Sequence, residues 1–144
     1  MTRTDIRLAN SSWEAVMTAH AELMAAFAAE GMWVKVSMRE YDVLYTLAKS
    51  DTPLRICEVQ DGVLLSQPAL SRMIDRLATR GLLAREADAS DARAVRVSLT
   101  AEGERVQREV GRAHAKSVAQ RLGAALTPDE VAELGRLARK LVAG

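Results

Sequence analysis

Between Leu64 and Glu86 the chain reads LLSQPALSRMIDRLATRGLLARE, and its polar residues are of the kinds that recognise a nucleic acid: Gln67, Arg72 and Arg76, with Ser66 and Ser71 beside them. A guanidinium can bridge O6 and N7 of guanine, a carboxamide can read adenine, and hydroxyls and cations hold phosphates. The apolar residues of the same stretch, Leu70, Met73, Ile74 and Leu77, recur at steps of three and four, the period of a helix with one buried face. With those four inside, a turn of ~100° per residue carries Pro68, Arg72, Arg76 and Thr79 to the opposite side and leaves Ser71 and Asp75 on a flank. Gln67, at the N-terminal end, is best placed for a base edge, and Arg76, one turn beyond Arg72, for a phosphate. Further on, the polar loop ADASDAR holds Arg93, a long cation suited to the negative potential of a narrow minor groove.

The elements around this stretch must hold that face outward. Trp13, Val16, Met17, His20, Leu23, Met24 and Phe27 mark a first amphipathic helix with His20 on its apolar stripe, ended by Gly31. Ser37 and Glu40 form a capping box for a second helix, which SDTP stops. A short extended LRI precedes a very short third helix over about 57–63, and Ser66 caps the fourth, about 66–80, with Pro68 in its first turn and Gly81 at its C-terminal end. LLARE and AVRVSLT then flank ADASDAR as a two-stranded hairpin whose Val95, Val97 and Leu99 share one buried face. Thr100 caps a fifth helix, and TPDE, Thr127 to Glu130, opens a sixth with a capping box and proline in first position.

Composition limits what such an arrangement can be. The 144 residues, about half of them apolar, suit one domain with its own core. The opening MTRTDIRLANSSWEAV lacks the apolar segment of a secretory signal, and no run approaches the ~18 residues of a membrane span, so a cytoplasmic protein without membrane association is expected. One cysteine, Cys57, excludes an internal disulfide, and His20 and His114 lie too far apart for metal-ligand spacing; neither a metal nor a cofactor is expected. No nucleophile with a matching base and no phosphate-binding glycine loop appears, which argues against an enzyme. The net charge of +1 conceals an asymmetry: residues 66–100 carry six arginines (72, 76, 80, 85, 93, 96) against four acids, whereas residues 1–65 carry six Lys and Arg against nine acids. So small an excess is equally that of a solvated surface; the collection of arginines on one helix face and one hairpin tip favours DNA.

Two helices joined by a tight turn and followed at once by a basic hairpin make a helix-turn-helix with a wing. Over nearly its whole length the chain resembles the MarR family of bacterial transcriptional regulators. LLSQPALSRMIDRLATRGLL resembles the recognition helix of that family, and DARAVRVSLTAEG its wing signature, D-x-R-x-x-x-V-x-L-T-x-x-G. The resemblance implies a mainly α fold with a small β-hairpin wing. A winged-helix lobe, about 37–100, is set between N- and C-terminal dimerisation helices, about 8–30 and 101–143, all within one domain, 1–144. It also implies a homodimer, Arg93 as the minor-groove finger with Asp91 steadying it, and a repressor released by a small molecule. One short recognition helix per chain reads too few base pairs alone, so the expected target is a pseudo-palindromic double-stranded operator.

Effectors of this family lodge between the dimerisation helices and the winged-helix lobe, which makes Trp13, His20, Met24, Trp33, Tyr41 and Tyr45 candidates by position for a flat aromatic or phenolic ligand. Each is equally a residue that core or interface packing would use. Cys57 stands where the family usually has Ser or Thr capping the third helix, and Gly62 falls inside that helix, at a cost of roughly 1 kcal/mol relative to Ala. A thiol at a helix N-terminus can have a lowered pKa, so one alternative is a redox-responsive regulator acting through Cys57. The peroxide-sensing members, however, carry their cysteine in the first helix, where this sequence has none, and the other reading of Cys57 is an inert, partly buried thiol. A further alternative is a winged-helix interaction module that binds no DNA, for which Arg72, Arg76 and Arg93 would have no use on that face.

Overall fold

The computed structural model describes residues 3–144. The elements run in the order α1 (Ile6–Ala28), α2 (Met38–Ala48), β1 (Leu54–Arg55), α3 (Ile56–Gln60), α4 (Gln67–Thr79), β2 (Leu83–Ala87), β3 (Val95–Leu99), α5 (Ala101–Ala125) and α6 (Pro128–Ala143). The helix starts follow from side chains that satisfy the otherwise orphaned first-turn amides. Ser37 Oγ accepts from the Glu40 amide at 3.1 Å while the Glu40 carboxylate accepts from the Ser37 amide at 2.8 Å. Thr127 and Glu130 repeat this box at the start of α6, and Thr100 caps α5. Each such cap contributes about 1 kcal/mol.

The core lies between α2, α4, the sheet and the first half of α5. Val43, Leu44, Val59, Leu70, Leu77 and Val97 are completely enclosed there, and Val106 and Val110 cover them from α5. The sheet has three antiparallel strands in the order β1-β3-β2, not the two of the expected hairpin. Leu54 pairs with Val97 and Arg55 with Arg96 on one edge of β3, and Leu83 pairs with Leu99 and Ala87 with Val95 on the other. The third strand uses backbone groups of β3 that a hairpin alone would leave to water. Of the three alternating residues of β3, only Val97 is fully buried; Val95 points out near the wing tip.

Three expectations around α3 are corrected. The helix covers five residues, beginning at Ile56 and ending at Gln60, so the preceding extended segment is only Leu54–Arg55. Its N-cap residue is Arg55, with Glu58 Oε1 accepting from the Arg55 amide at 3.0 Å; Cys57 is already inside the helix and is exposed, neither a cap nor partly buried. Gly62 lies beyond the helix, in the turn to α4, where its amide donates to the Val59 carbonyl at 3.0 Å. A Cβ at Gly62 would come within 2.8 Å of Thr46 Oγ1, so the glycine allows the turn to press against α2. The cost assigned to a glycine in a helix interior does not arise.

The two outer helices are different in kind. Phe27 is the only buried residue of α1, and α6 has none. Ile6, Leu8, Trp13, Val16 and Met17 on α1 and Leu134, Leu137, Leu141 and Val142 on α6 are all exposed on the single chain. His20 shares this exposure; the part of the apolar stripe from Trp13 to His20 is not covered by its own chain, whereas Leu23 and Met24 are half-buried and Phe27 is buried.

Candidate nucleic-acid interface and effector crevice

The polar face of α4 is presented by tight anchoring of its other side. Leu70, Met73, Ile74 and Leu77 are buried, each worth about 1.5–3 kcal/mol of transfer free energy. Ser66 Oγ accepts from the Ala69 amide at 3.3 Å at the start of the helix. At its end Gly81 adopts φ 77°, and the Leu82 amide reaches back to the Leu77 carbonyl at 3.0 Å. Only a residue at ease with positive φ closes a helix in this way. Gln67, Pro68, Arg72 and Arg76 are exposed, as is Ser66; Ser71 is half-buried on the flank. Thr79 turns its hydroxyl back to the Asp75 carbonyl at 2.9 Å and is thereby occupied.

The six arginines of the basic middle separate into two sets. Arg80 pairs with Glu40 at 2.8 Å and donates to the Lys35 carbonyl, Arg85 pairs with Asp75, and Arg96 pairs with Asp88 at 2.8 Å. Arg72, Arg76 and Arg93 make no ion pair among the described residues and remain exposed. The structure therefore uses three of the arginines for its own assembly and leaves uncompensated the two on the outer face of α4 and the one at the wing tip. Asp91 holds the tip through the backbone: its carboxylate accepts from the Arg93 amide at 3.0 Å and its carbonyl from the Ala94 amide at 3.1 Å. The Arg93 guanidinium takes no part in those bonds.

At the base of the wing, Asp88 is a charged residue the sequence reading did not single out. Its buried carboxylate is held well below the usual range, first by the Ser90 hydroxyl and then by Arg55. The sign that pointed to it was its place five residues before Arg93, within the polar loop.

A crevice of about 690 Å³ separates α2 from α5, lined by Tyr41, Asp42, Tyr45, Gln107, Arg108, Arg112 and His114. That volume suits a small organic ligand. The Tyr41 and Tyr45 rings stack with centroids 6.0 Å apart, and His114 meets Tyr41, Trp33 and Phe27 at 5.8, 5.4 and 5.1 Å. The Nδ1 of His114 is buried without a hydrogen-bond partner. Burial raises the pKa of the Tyr41 phenol and that of the Asp42 carboxyl. A second cavity of about 620 Å³, which shares Asp42 and Tyr45 with the first, is lined further by His20, Met24, Arg39, Lys49 and the turn from Gly62 to Leu65. Of the six residues named from the sequence, Tyr41 and Tyr45 thus face the first cavity, His20, Met24 and Tyr45 the second, and Trp33 backs the first through His114. Trp13 lines neither and is exposed on α1. His114, weighed in the sequence only for metal-ligand spacing, was not named for the crevice, although it falls on the buried stripe of Val106, Val110 and Ser117 at helical spacing.

This combination of a buried helix-turn-helix core, a sheet-based wing and an outward cationic face defines a winged helix-turn-helix protein. Residues 36–95, from just before α2 to the start of β3, match the MarR family model. Over that segment, less than half of its length, the chain is similar to the MarR family. Among solved structures it is similar to Sco3205, a MarR family transcriptional regulator from Streptomyces coelicolor in complex with DNA, at 25% identity and a TM-score of 0.80, over 99% of this chain and 90% of that one. It is also similar to the PcaV transcriptional regulator of the same organism in complex with its natural ligand, at 28% identity and a TM-score of 0.70, over 100% and 99% of the two chains. A third similar structure is BpsR of Bordetella bronchiseptica, whose DNA binding is regulated by 6-hydroxynicotinic acid, at 25% identity and a TM-score of 0.77, over 92% and 98%. No curated protein sequence matches the chain. Among the described residues, no helix is long and apolar enough to cross a membrane.

Proposed function

We propose that the protein is a homodimeric, sequence-specific repressor that binds a pseudo-palindromic double-stranded operator in the cytoplasm and is released by a small aromatic or phenolic effector. The observation that carries this reading is the triad Arg72, Arg76 and Arg93, exposed and without acidic partners on α4 and the wing tip. In it, Gln67 and Arg72 read base edges in the major groove. Ser66, Ser71 and Arg76 hold phosphates, Pro68 packs against the groove wall, and Arg93, set by Asp91, enters the adjoining minor groove. The uncovered apolar faces of α1 and α6 supply the dimer contact, Trp13 included, since a helix face carrying several large exposed apolar side chains marks an interaction surface.

Separating the two arginines of α4 tests the reading. Arg72→Ala costs ~1 to 3 kcal/mol on the cognate operator and blunts base discrimination. Arg76→Ala weakens all sequences alike and lowers the magnitude of the salt slope by about one. Titrations of specific and random duplexes at several salt concentrations read both effects. An Arg72→Ala protein that keeps the wild-type ratio of specific to non-specific affinity would sink the assignment.

For the effector, the two adjoining cavities along α2 are the entry points, and the ligand must bind the DNA-incompetent dimer better than the competent one. Tyr41, Tyr45 and Trp33, with His114 added, form the aromatic wall of one; His20 and Met24 lie on the other. His20→Ala leaves operator affinity within about twofold while requiring more ligand for release, the coupling being ~1 to 3 kcal/mol in typical cases. Release monitored with a series of hydroxylated aromatic acids checks this, and an unchanged response of the variant removes His20 from the site.

A further inference from the structure

The carboxylate of Asp88, side chain 1% exposed, accepts four hydrogen bonds from three separate segments. Its Oδ2 accepts from Nε of Arg55 and from Nε of Arg96, both at 2.8 Å. Its Oδ1 accepts from the amide of Ser90 at 2.8 Å and from its hydroxyl at 2.7 Å. Arg55 ends β1 and caps α3, so it belongs to the helix-turn-helix. Arg96 belongs to β3, and its Nη1 also donates to the Pro53 carbonyl at 3.0 Å. Ser90 lies in the loop that carries Arg93.

The wing is a ribbon of two five-residue strands, and its tip has no packed core of its own. Asp91 shapes the tip locally, through the amides of Arg93 and Ala94. Among the described hydrogen bonds of residues 89–93, the only ones that reach beyond the wing run through Ser90 to Arg55, 3.4 Å away. A single enclosed acid therefore joins the outer end of the wing to the element that positions α4.

We propose that Asp88 is a positioning residue for DNA recognition, fixing the wing against the helix-turn-helix so that Arg93 meets the minor groove when α4 lies in the major groove. This rests on the reading of Arg93 given above. Simple charge counting predicts the opposite outcome for its removal: Asp88→Asn deletes a negative charge and releases Arg55 and Arg96, which should strengthen attraction to a polyanion. A positioning role makes the same variant bind its operator more weakly, and only as long as Arg93 is there to be positioned.

The test is a double-mutant cycle on an operator with A·T-rich flanks, comparing wild type, Arg93→Ala, Asp88→Asn and the double variant at fixed salt. Asp88→Asn is expected to lower affinity about tenfold when Arg93 is present and by less than about twofold when it is alanine. Discrimination among bases under α4 stays as in the wild type. An equal loss in both backgrounds overturns the proposal, because Asp88 would then act on the fold at large, and tighter binding overturns it in favour of charge. An Arg93→Ala protein with unchanged affinity brings down the minor-groove reading itself, and this proposal with it. Should Asp88→Asn fail to fold, Ser90→Ala removes the hydroxyl partner while leaving both arginine pairs, and its loss must show the same dependence on Arg93; equal losses in the two backgrounds overturn the proposal.

Discussion

If the protein binds its operator as the homodimer proposed above, a duplex with about 5 bp inserted between the half-sites is expected to bind about a thousandfold more weakly than the operator itself, close to the affinity for random DNA. Each chain offers one α4 of 13 residues, enough for only one half-site. In a dimer joined through α1 and α6 the two recognition helices are related by a two-fold axis, and their separation is set by the protein. Half a helical turn rotates one half-site to the far side of the duplex, where the second α4 cannot follow. A full-turn insertion of about 10 bp restores the rotational phase but moves the half-site by about 34 Å, so a rigid dimer fails on that duplex too. Gel-shift titration of an operator selected from random duplexes measures all three. Unchanged affinity for the half-turn duplex would remove the two-site arrangement.

The second large effect is expected at Gly103, the last residue of the wing signature. Replacing glycine by alanine inside a helix normally gains up to about 1 kcal/mol. Here a Cβ would collide with the carbonyl oxygen of Leu82 and lie 3.0 Å from its carbonyl carbon. That carbonyl cannot readily withdraw, because it accepts from the Thr100 amide at 3.1 Å while Thr100 Oγ1 donates to the neighbouring Gly81 carbonyl at 2.6 Å. On its other side Leu83 is buried and paired with Leu99. Either α5 is pushed off the sheet or the turn after α4 is distorted. The clash therefore outweighs the propensity gain, and Gly103→Ala is expected to cost about 3 kcal/mol. Thermal melts at matched protein concentration should show a midpoint about 10 °C lower. A melting point at or above the wild-type value would show that the helix start has room to give.

Much of α4 and of the caps that bound the helices was legible in the sequence. The residues of α4 alternate between core and solvent with helical period, its boundaries carry Ser66 and Gly81, and the outer side of such a helix follows from geometry alone. The capping boxes at Ser37 and Thr127 were readable for the same reason: a cap is a contact between residues three apart, and its partners are adjacent in sequence. The region of α3 was not. A five-residue helix has too few turns for a hydrophobic period, and the residue that caps it, Arg55, is engaged by Glu58 locally and by Asp88 far along the chain.

What only the tertiary structure decided is how charges that look alike in sequence are spent. Six arginines in the middle of the chain are equivalent as a composition; Glu40, Asp75 and Asp88 occupy Arg80, Arg85 and Arg96, and the remaining three stay available to a polyanion. Two of those pairs join residues 40 and 10 positions apart, and Asp88 reaches Arg55 across 33. The same holds for the crevice, where His114 of α5 meets Tyr41 of α2 and Trp33 of the loop before it, and for Gly103, whose lack of a side chain matters only because Leu82 lies against it. Local periodicity and caps follow from short-range sterics and hydrogen bonding and can be read along the chain, whereas ion pairing, aromatic contact and close backbone approach depend on distances that exist only once the chain has folded.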